Sequence, residues 1–93
     1  MSKDDAQLDP ETIQVANYPS RKLILVKLKS GPMVAASLQK NVKMSQKVFE
    51  SHLAQLKNEG LVRTEKDKVS LTEKGKEILG YVEKLDQENI DWT

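Results

Sequence analysis

The chain has 93 residues, enough for one domain with a small hydrophobic core, since 38% of them are hydrophobic and 31% are charged. It contains no cysteine, which excludes disulfides, thiolate metal sites and cysteine nucleophiles and favours the reducing cytoplasm. No apolar run approaches the roughly 20 residues that span a bilayer, so we expect a soluble, cytoplasmic protein without contact to a membrane.

The net charge of +1 hides a strong segregation of charge along the chain. Residues 21–76 contain thirteen Lys and Arg against five Asp and Glu, a net charge of +8, whereas residues 1–20 carry −3 and residues 77–93 carry −4. A basic middle between acidic ends is typical of a protein that presents one face to a polyanion. Lysines that only keep a small domain soluble would give a similar composition, so charge alone does not decide between these interpretations.

The first half of the chain predicts three helices. Asp9, followed by a proline, favours a short helix to about Asn17, because an acidic cap and a first-turn proline suit a helix start. The apolar segment 21–29 suits a buried helix or a buried strand, and Ser20 as a cap favours the helix. Segment 33–43 predicts a weaker helix, because no capping residue marks its start.

The clearest element is a helix over residues 46–59. Ser45 is a suitable N-cap, and Met44 before it can pack on Phe49 in the second turn as a hydrophobic staple. At the other end Gly60 can supply the left-handed residue of a Schellman stop, with the following leucine closing back on the helix. Both ends of this helix are therefore specified by local signals.

A hairpin and a last helix complete the predicted elements. Residues 61–72 predict a β-hairpin, because two short alternating runs flank a charged tip at residues 65–68. Thr72 can cap the following helix, in which Gly75 and Gly80 require either close packing or a bend. The apolar stripe of that helix consists of Ile78, Leu79, Val82 and Leu85.

Residues 44–79 resemble the winged helix domains of prokaryotic regulators of the MarR and ArsR type, and the likeness extends over roughly residues 20–85. The matching residues are Ser45, His52-Leu53, Leu56, Gly60-Leu61-Val62 and Leu71-Thr72-Glu73-Lys74-Gly75. The resemblance implies a mainly α protein with a small β-hairpin (α+β). Its fold would be a winged helix-turn-helix, with a three-helix core and a two-stranded wing, flanked by N- and C-terminal helices.

The resemblance also implies a domain division and a function. Residues 1–19 would be an acidic N-terminal extension with a short helix, residues 20–85 the winged helix domain, and residues 86–93 an acidic C-terminal tail. The protein would be a DNA-binding transcriptional regulator whose recognition helix, 46–59, lies in the major groove of duplex DNA, with the wing, 64–70, on the backbone or minor groove. A homodimer would bind a two-fold site with its recognition helices about 34 Å apart.

The helical wheel of residues 46–59 independently supports this role, because the face opposite Phe49 and Leu53 is polar. Gln46 can read adenine, and Lys47 can reach guanine or a phosphate. The predicted DNA-binding residues are Gln46, Lys47, Glu50, Ser51, Ala54, Lys57, Lys40, Lys43, Arg63, Lys66, Lys68, Arg21 and Lys22. A wing that barely touches DNA is an equal alternative, since acidic residues dilute the charge of its tip.

The remaining expectations concern partners and chemistry. The predicted dimer interface consists of Ile13, Ala16, Ile78, Val82, Leu85 and Trp92. His52 is the only histidine, so neither a metal site nor a catalytic pair can be assembled around it, and we expect no metal, no cofactor and no enzyme activity. Glu50, in the middle of the reading face, supports the alternative of a winged helix that serves as a protein–protein interaction module or as a subunit of a larger nucleic-acid machine.

Overall fold

Five helices and three short strands make up residues 9–91, the part of the chain that the computed structural model describes. In chain order they are α1 (Pro10–Asn17), α2 (Pro19–Lys27), a 3₁₀ turn (Leu28–Ser30), β1 (Met33–Val34), α3 (Ala35–Val42), α4 (Gln46–Asn58), β2 (Val62–Glu65), β3 (Lys68–Leu71) and α5 (Glu73–Asp91). The predicted mainly helical fold with a small sheet is confirmed.

Both predicted ends of α4 are present in the structure. The Ser45 hydroxyl accepts a hydrogen bond from the Val48 N–H at 3.3 Å, which is the expected N-cap. Gly60 has a φ of 76°, and the Leu61 N–H donates to the Leu56 carbonyl at 3.0 Å, as in a Schellman motif. The helix ends one residue earlier than predicted.

The N-terminal helices agree with the prediction in kind but not in every boundary. The Asp9 carboxylate accepts from the Glu11 N–H at 3.3 Å, so the predicted start of α1 is confirmed. The ambiguous apolar segment is helical, but α2 begins at Pro19, and Tyr18 is its N-cap residue without a side-chain hydrogen bond. The predicted cap at Ser20 was wrong, because proline suits the first helical position, where no N–H partner is needed.

The sheet has three antiparallel strands in the order β1-β3-β2, not the two of the predicted wing. Met33 and Val34, which were predicted to begin a helix, form β1, and Met33 pairs with Val69 of β3. The Ala35 N–H extends this pairing by donating to the Asp67 carbonyl at 2.8 Å. The short strand supplies partners for backbone groups of β3 that the hairpin alone would leave unpaired.

One hydrophobic core joins the helices to the sheet. In such a core, a large apolar side chain contributes about 1.5–3 kcal/mol to stability when it is removed from water. The buried apolar residues are Ala16, Ile24, Leu25, Leu28, Leu38, Val42, Phe49, Leu53, Leu56, Leu61, Val62, Val69, Ile78, Leu79 and Val82. Met44 is half-buried against this cluster, as expected for the residue before the α4 cap.

The start of α5 is packed closely against the end of α4. The Thr72 hydroxyl accepts from the Gly75 N–H at 3.0 Å, which confirms the predicted cap. A Cβ at Gly75 would collide with the backbone carbonyl of Leu61, so close packing at this glycine is confirmed. At Gly80 a Cβ would meet no atom within 4 Å, so close packing does not account for this second glycine.

The two glycines of α5 provide a matched pair of substitutions. Gly75→Ala should lower the free energy of unfolding by about 1–3 kcal/mol, because the added methyl overpacks against backbone that cannot move aside. Gly80→Ala should raise it by about 0.5–1 kcal/mol, because alanine favours the helix and finds open space. Urea denaturation measures both values, and equal effects of the two substitutions would contradict the packing described here.

Candidate nucleic-acid interface

A three-residue turn, residues 43–45, joins α3 to α4 and sets the direction of α4. Lys43 adopts a left-handed conformation with a φ of 56°, which reverses the chain directly after α3. The Gln39 side chain then donates to the Met44 carbonyl at 3.2 Å and holds the turn from inside. The two helices and this turn form a helix-turn-helix unit.

The outer face of α4 is exposed because its inner face is buried. Phe49, Leu53 and Leu56 lie in the core with 3%, 9% and 0% of their surface exposed. The predicted reading residues therefore face solvent: Gln46, Lys47, Glu50, Ser51, Ala54 and Lys57 are all exposed, and so are Lys40 and Lys43 before the helix. The structure thus brings these side chains to one exposed helix face and the turn that precedes it.

The first turns of α4 contain one internal side-chain contact and one apolar residue that the sequence analysis did not identify. The Gln46 amide Nε2 donates to the Glu50 carboxylate at 3.0 Å. Val48 is 46% exposed, although it precedes the buried Phe49. The helical wheel could have identified it, because a residue one step from Phe49 is rotated by about 100° away from the core.

A buried polar contact ties α1 to the C-terminal end of α4. Thr12 is only 1% exposed, and its hydroxyl donates to the Glu59 carboxylate at 3.0 Å. Because a buried hydroxyl without a partner is costly, this bond favours one placement of α1 on α4.

Arg21 links α1, α2 and α4 instead of reaching outward. Its guanidinium Nε donates to the Val15 carbonyl at 2.8 Å, and its Nη1 lies 3.3 Å from Nδ1 of His52. The guanidinium also lies over the Tyr18 ring, 4.5 Å from the ring centroid. The prediction that Arg21 contacts phosphate is therefore corrected, since its guanidinium holds α1, α2 and α4 together. The neighbouring Lys22 is half-buried, and its ammonium group donates to the Asn17 side chain at 3.3 Å.

This arrangement fixes the state of His52. Guanidinium groups only donate, so Nδ1 of His52 must accept and the neutral ring carries its proton on Nε2. Burial, and secondarily the positive charge of Arg21, lower the pKa of His52 below its ordinary value of 6.5. The single histidine is thus part of the contact between α2 and α4.

The wing presents charges of both signs. Arg63, Lys66 and Lys68 are exposed, as predicted for residues that approach DNA, and Lys66 has a left-handed φ of 57° in the hairpin turn. Glu65 and Asp67 are exposed beside them, and Glu65 pairs with Lys68 in the strand register. The tip therefore has a weaker net positive charge than its lysines alone would give.

Three of the six residues predicted for the dimer interface are buried in the core of the single chain. Ala16, Ile78 and Val82 are each 0% exposed, so they cannot contact a second subunit, and this part of the prediction was wrong. The reason is that α1 and α5 pack on each other and use these residues to do so. Ile13 and Leu85 are half-buried, Tyr81 on α5 is 37% exposed, and Trp92 lies outside the described residues.

Residues 9–91 lack a membrane-spanning helix, and their described side chains form no metal cluster. No helix in this range is both long and apolar enough to cross a membrane. Among the side chains of residues 9–85, no three of His, Cys, Asp or Glu are grouped so that they could hold a metal ion.

The lowered pKa of His52 predicts a pH-dependent stability. Below pH 6.5 the unfolded chain binds a proton at this residue that the folded protein binds only at lower pH, so acidification through this window favours unfolding. The stability advantage of the wild type over His52→Gln should therefore shrink as the pH falls from about 7.5 to about 5. Urea denaturation at each pH measures it, and a constant difference would contradict this assignment.

The comparisons with known proteins agree with this geometry. HlyU from Vibrio cholerae N16961 is 26% identical, with a TM-score of 0.70 over 94% of this chain and 96% of HlyU. The transcriptional repressor BigR from Xylella fastidiosa shares the fold at 20% identity, with a TM-score of 0.70 over 91% of this chain and 93% of BigR. The structure of an ArsR family transcriptional regulator also has this fold at 24% identity, with a TM-score of 0.66 over 98% of this chain and 97% of the regulator.

No curated protein matches the sequence. A family model described as winged helix-turn-helix, however, matches residues 22–89, which is more than two thirds of the chain. The predicted resemblance to prokaryotic winged helix regulators is thereby confirmed. The chain belongs to this winged helix-turn-helix family.

Proposed function

We propose that this protein is a cytoplasmic DNA-binding transcriptional regulator that inserts α4 into the major groove of duplex DNA. The observation that carries the proposal is the exposed outer face of α4, held outward by the burial of Phe49, Leu53 and Leu56. This face belongs to a segment, residues 21–76, with a net charge of +8, which suits a polyanionic partner. The fold is shared with transcriptional regulators, and this supports the same conclusion.

The N-terminal half of α4 is the part that reads bases. Recognition helices contact base edges mainly through their first residues, and here these include Gln46, Lys47 and Ser51. Lys47 donates to guanine or to a phosphate, and Gln46 pairs with adenine. Lys43 before the helix and Lys57 near its end neutralise phosphates on either side of the groove.

The wing contributes a weaker, backbone-directed contact. Arg63, Lys66 and Lys68 approach the phosphates or the minor groove, while Glu65 and Asp67 limit the attraction. Most of the sequence preference therefore comes from α4, and the wing mainly adds affinity.

The protein acts as a homodimer on a two-fold site. The exposed surface formed by α1 and α5 is the best candidate interface, because Ile13, Leu85 and Tyr81 retain apolar area there after the core has formed. A two-fold axis through this surface would present two copies of α4 to successive major grooves. No enzymatic step is part of this proposal.

The acidic residues on the presumed DNA face favour a second candidate function. Glu50, Glu65 and Asp67 are all exposed, and a protein–protein interaction module, or a subunit of a larger nucleic-acid machine, would tolerate them. A gel shift with random duplex at low salt separates the two functions. A regulator with this basic surface binds non-specifically under these conditions, whereas an interaction module does not.

Lys47→Ala tests the role of α4. Against a duplex selected from a random pool, this substitution should weaken binding roughly 5- to 150-fold and reduce the salt dependence, because one base or phosphate contact is lost. Lys84→Ala is the matched control, since Lys84 is also an exposed lysine but lies on α5. Fluorescence anisotropy at several salt concentrations measures both, and equal affinities of the two variants would refute the assignment of α4.

Leu85→Glu tests the dimer. A carboxylate placed in the proposed interface should convert a dimeric wild type into a monomer, because a buried unpaired charge is costly. Leu23→Glu, on α2 at a residue 38% exposed, should leave the dimer intact. Light scattering after size exclusion gives the mass, and circular dichroism verifies folding. A monomeric wild type, or a folded Leu85→Glu dimer, would exclude this interface.

A further inference from the structure

We propose that Val48 contacts the C5 methyl group of thymine, so that the protein prefers a half-site with a thymine opposite the first turn of α4. This inference rests on the proposed function and adds a base preference to it. Val48 is 46% exposed, whereas the other large apolar side chains of the same helix, Phe49, Leu53 and Leu56, are at most 9% exposed. An apolar side chain so far outside the core is available to a partner.

The position of Val48 fits a base contact. It is the third residue of α4, and its backbone N–H is held by the Ser45 hydroxyl at 3.3 Å, which keeps it in the ordered first turn. Recognition helices present this turn to base edges. Because valine is branched at Cβ, its χ1 is restricted in a helix, so its methyl groups occupy one position with little loss of entropy on binding.

The chemistry of the groove selects the partner of Val48. In the major groove only thymine presents a methyl group, and apolar side chains recognise it by contact. The neighbouring exposed residues, Lys47 and Ser51, make polar contacts, so Val48 supplies the apolar part of the reading surface. Covering the methyl with valine removes apolar area from water on both partners.

Gln46 reinforces a preference for A·T pairs. Its amide Nε2 donates to the Glu50 carboxylate at 3.0 Å, and a carboxylate can only accept, so this orientation of the amide is fixed. The Oε1 atom is then available to accept from N6 of adenine, while the second amide proton can reach N7. Glu50 acts here as a positioning residue for Gln46 and not as a base contact of its own.

Deoxyuridine provides a test that removes only the methyl group. Each thymine of the selected half-site is replaced in turn by deoxyuridine, and dissociation constants are measured by anisotropy at one salt concentration. At one position the wild type should bind about three- to fivefold more weakly, the loss expected when one methyl group is no longer buried. Val48→Ala should bind the thymine duplex more weakly and show a smaller difference between the thymine and deoxyuridine duplexes, because only the short alanine methyl remains to contact thymine.

Val26→Ala is the matched control, because Val26 is 37% exposed on α2 and undergoes the same chemical change. It should keep the wild-type ratio between the thymine and deoxyuridine duplexes. If Val48→Ala keeps that ratio, or if the wild type is insensitive to every replacement, the thymine contact is refuted while DNA binding by α4 stands. If the wild type binds no duplex at all, the proposed function falls together with this inference.

Discussion

The burial of Phe49, Leu53 and Leu56 is the constraint on which the rest of the surface depends. Together these side chains contribute several kcal/mol, since each is worth about 1.5–3 kcal/mol in the core. A rotation of α4 about its axis would expose them, and no contact on the polar face could compensate. The choice of residues that face outward is therefore a consequence of core packing and does not require the partner to be present.

Hydrogen bonds and close packing directly after its C-terminal end hold the same helix in place. The Leu61 carbonyl accepts from the Thr72 N–H at 3.1 Å, and the Thr72 hydroxyl donates to the Gly60 carbonyl at 2.6 Å. The Leu61 carbonyl also packs against Gly75 so closely that no side chain fits between them. The end of α4, the base of the wing and the start of α5 thus meet at one point, which sets the angle between α4 and the wing.

Helix α1 links α4 to the surface proposed for dimerisation. It packs on α5 through buried residues, and it contacts α4 through the bond between Thr12 and Glu59. A second, polar link runs from the Val15 carbonyl through Arg21 to His52 on α4. In the proposed dimer, a partner on the α1–α5 surface would lie one helix away from the side chains proposed to contact DNA. The distance between the two copies of α4 would then depend on the placement of α1.

The sequence by itself determined the features that depend on neighbours along the chain, because such signals act within one or two helical turns. These features are the cap at Ser45, the stop at Gly60 and the amphipathic pattern of α4. The tertiary structure decided the features that depend on distant residues. Met33–Val34 forms a strand only because β3 offers an unpaired edge, and Arg21 turns inward only because α1 and α4 bring acceptors to it. Likewise, apolar periodicity marks Ile78 as buried but cannot distinguish the core of one chain from the contact between two, since both remove the same surface from water.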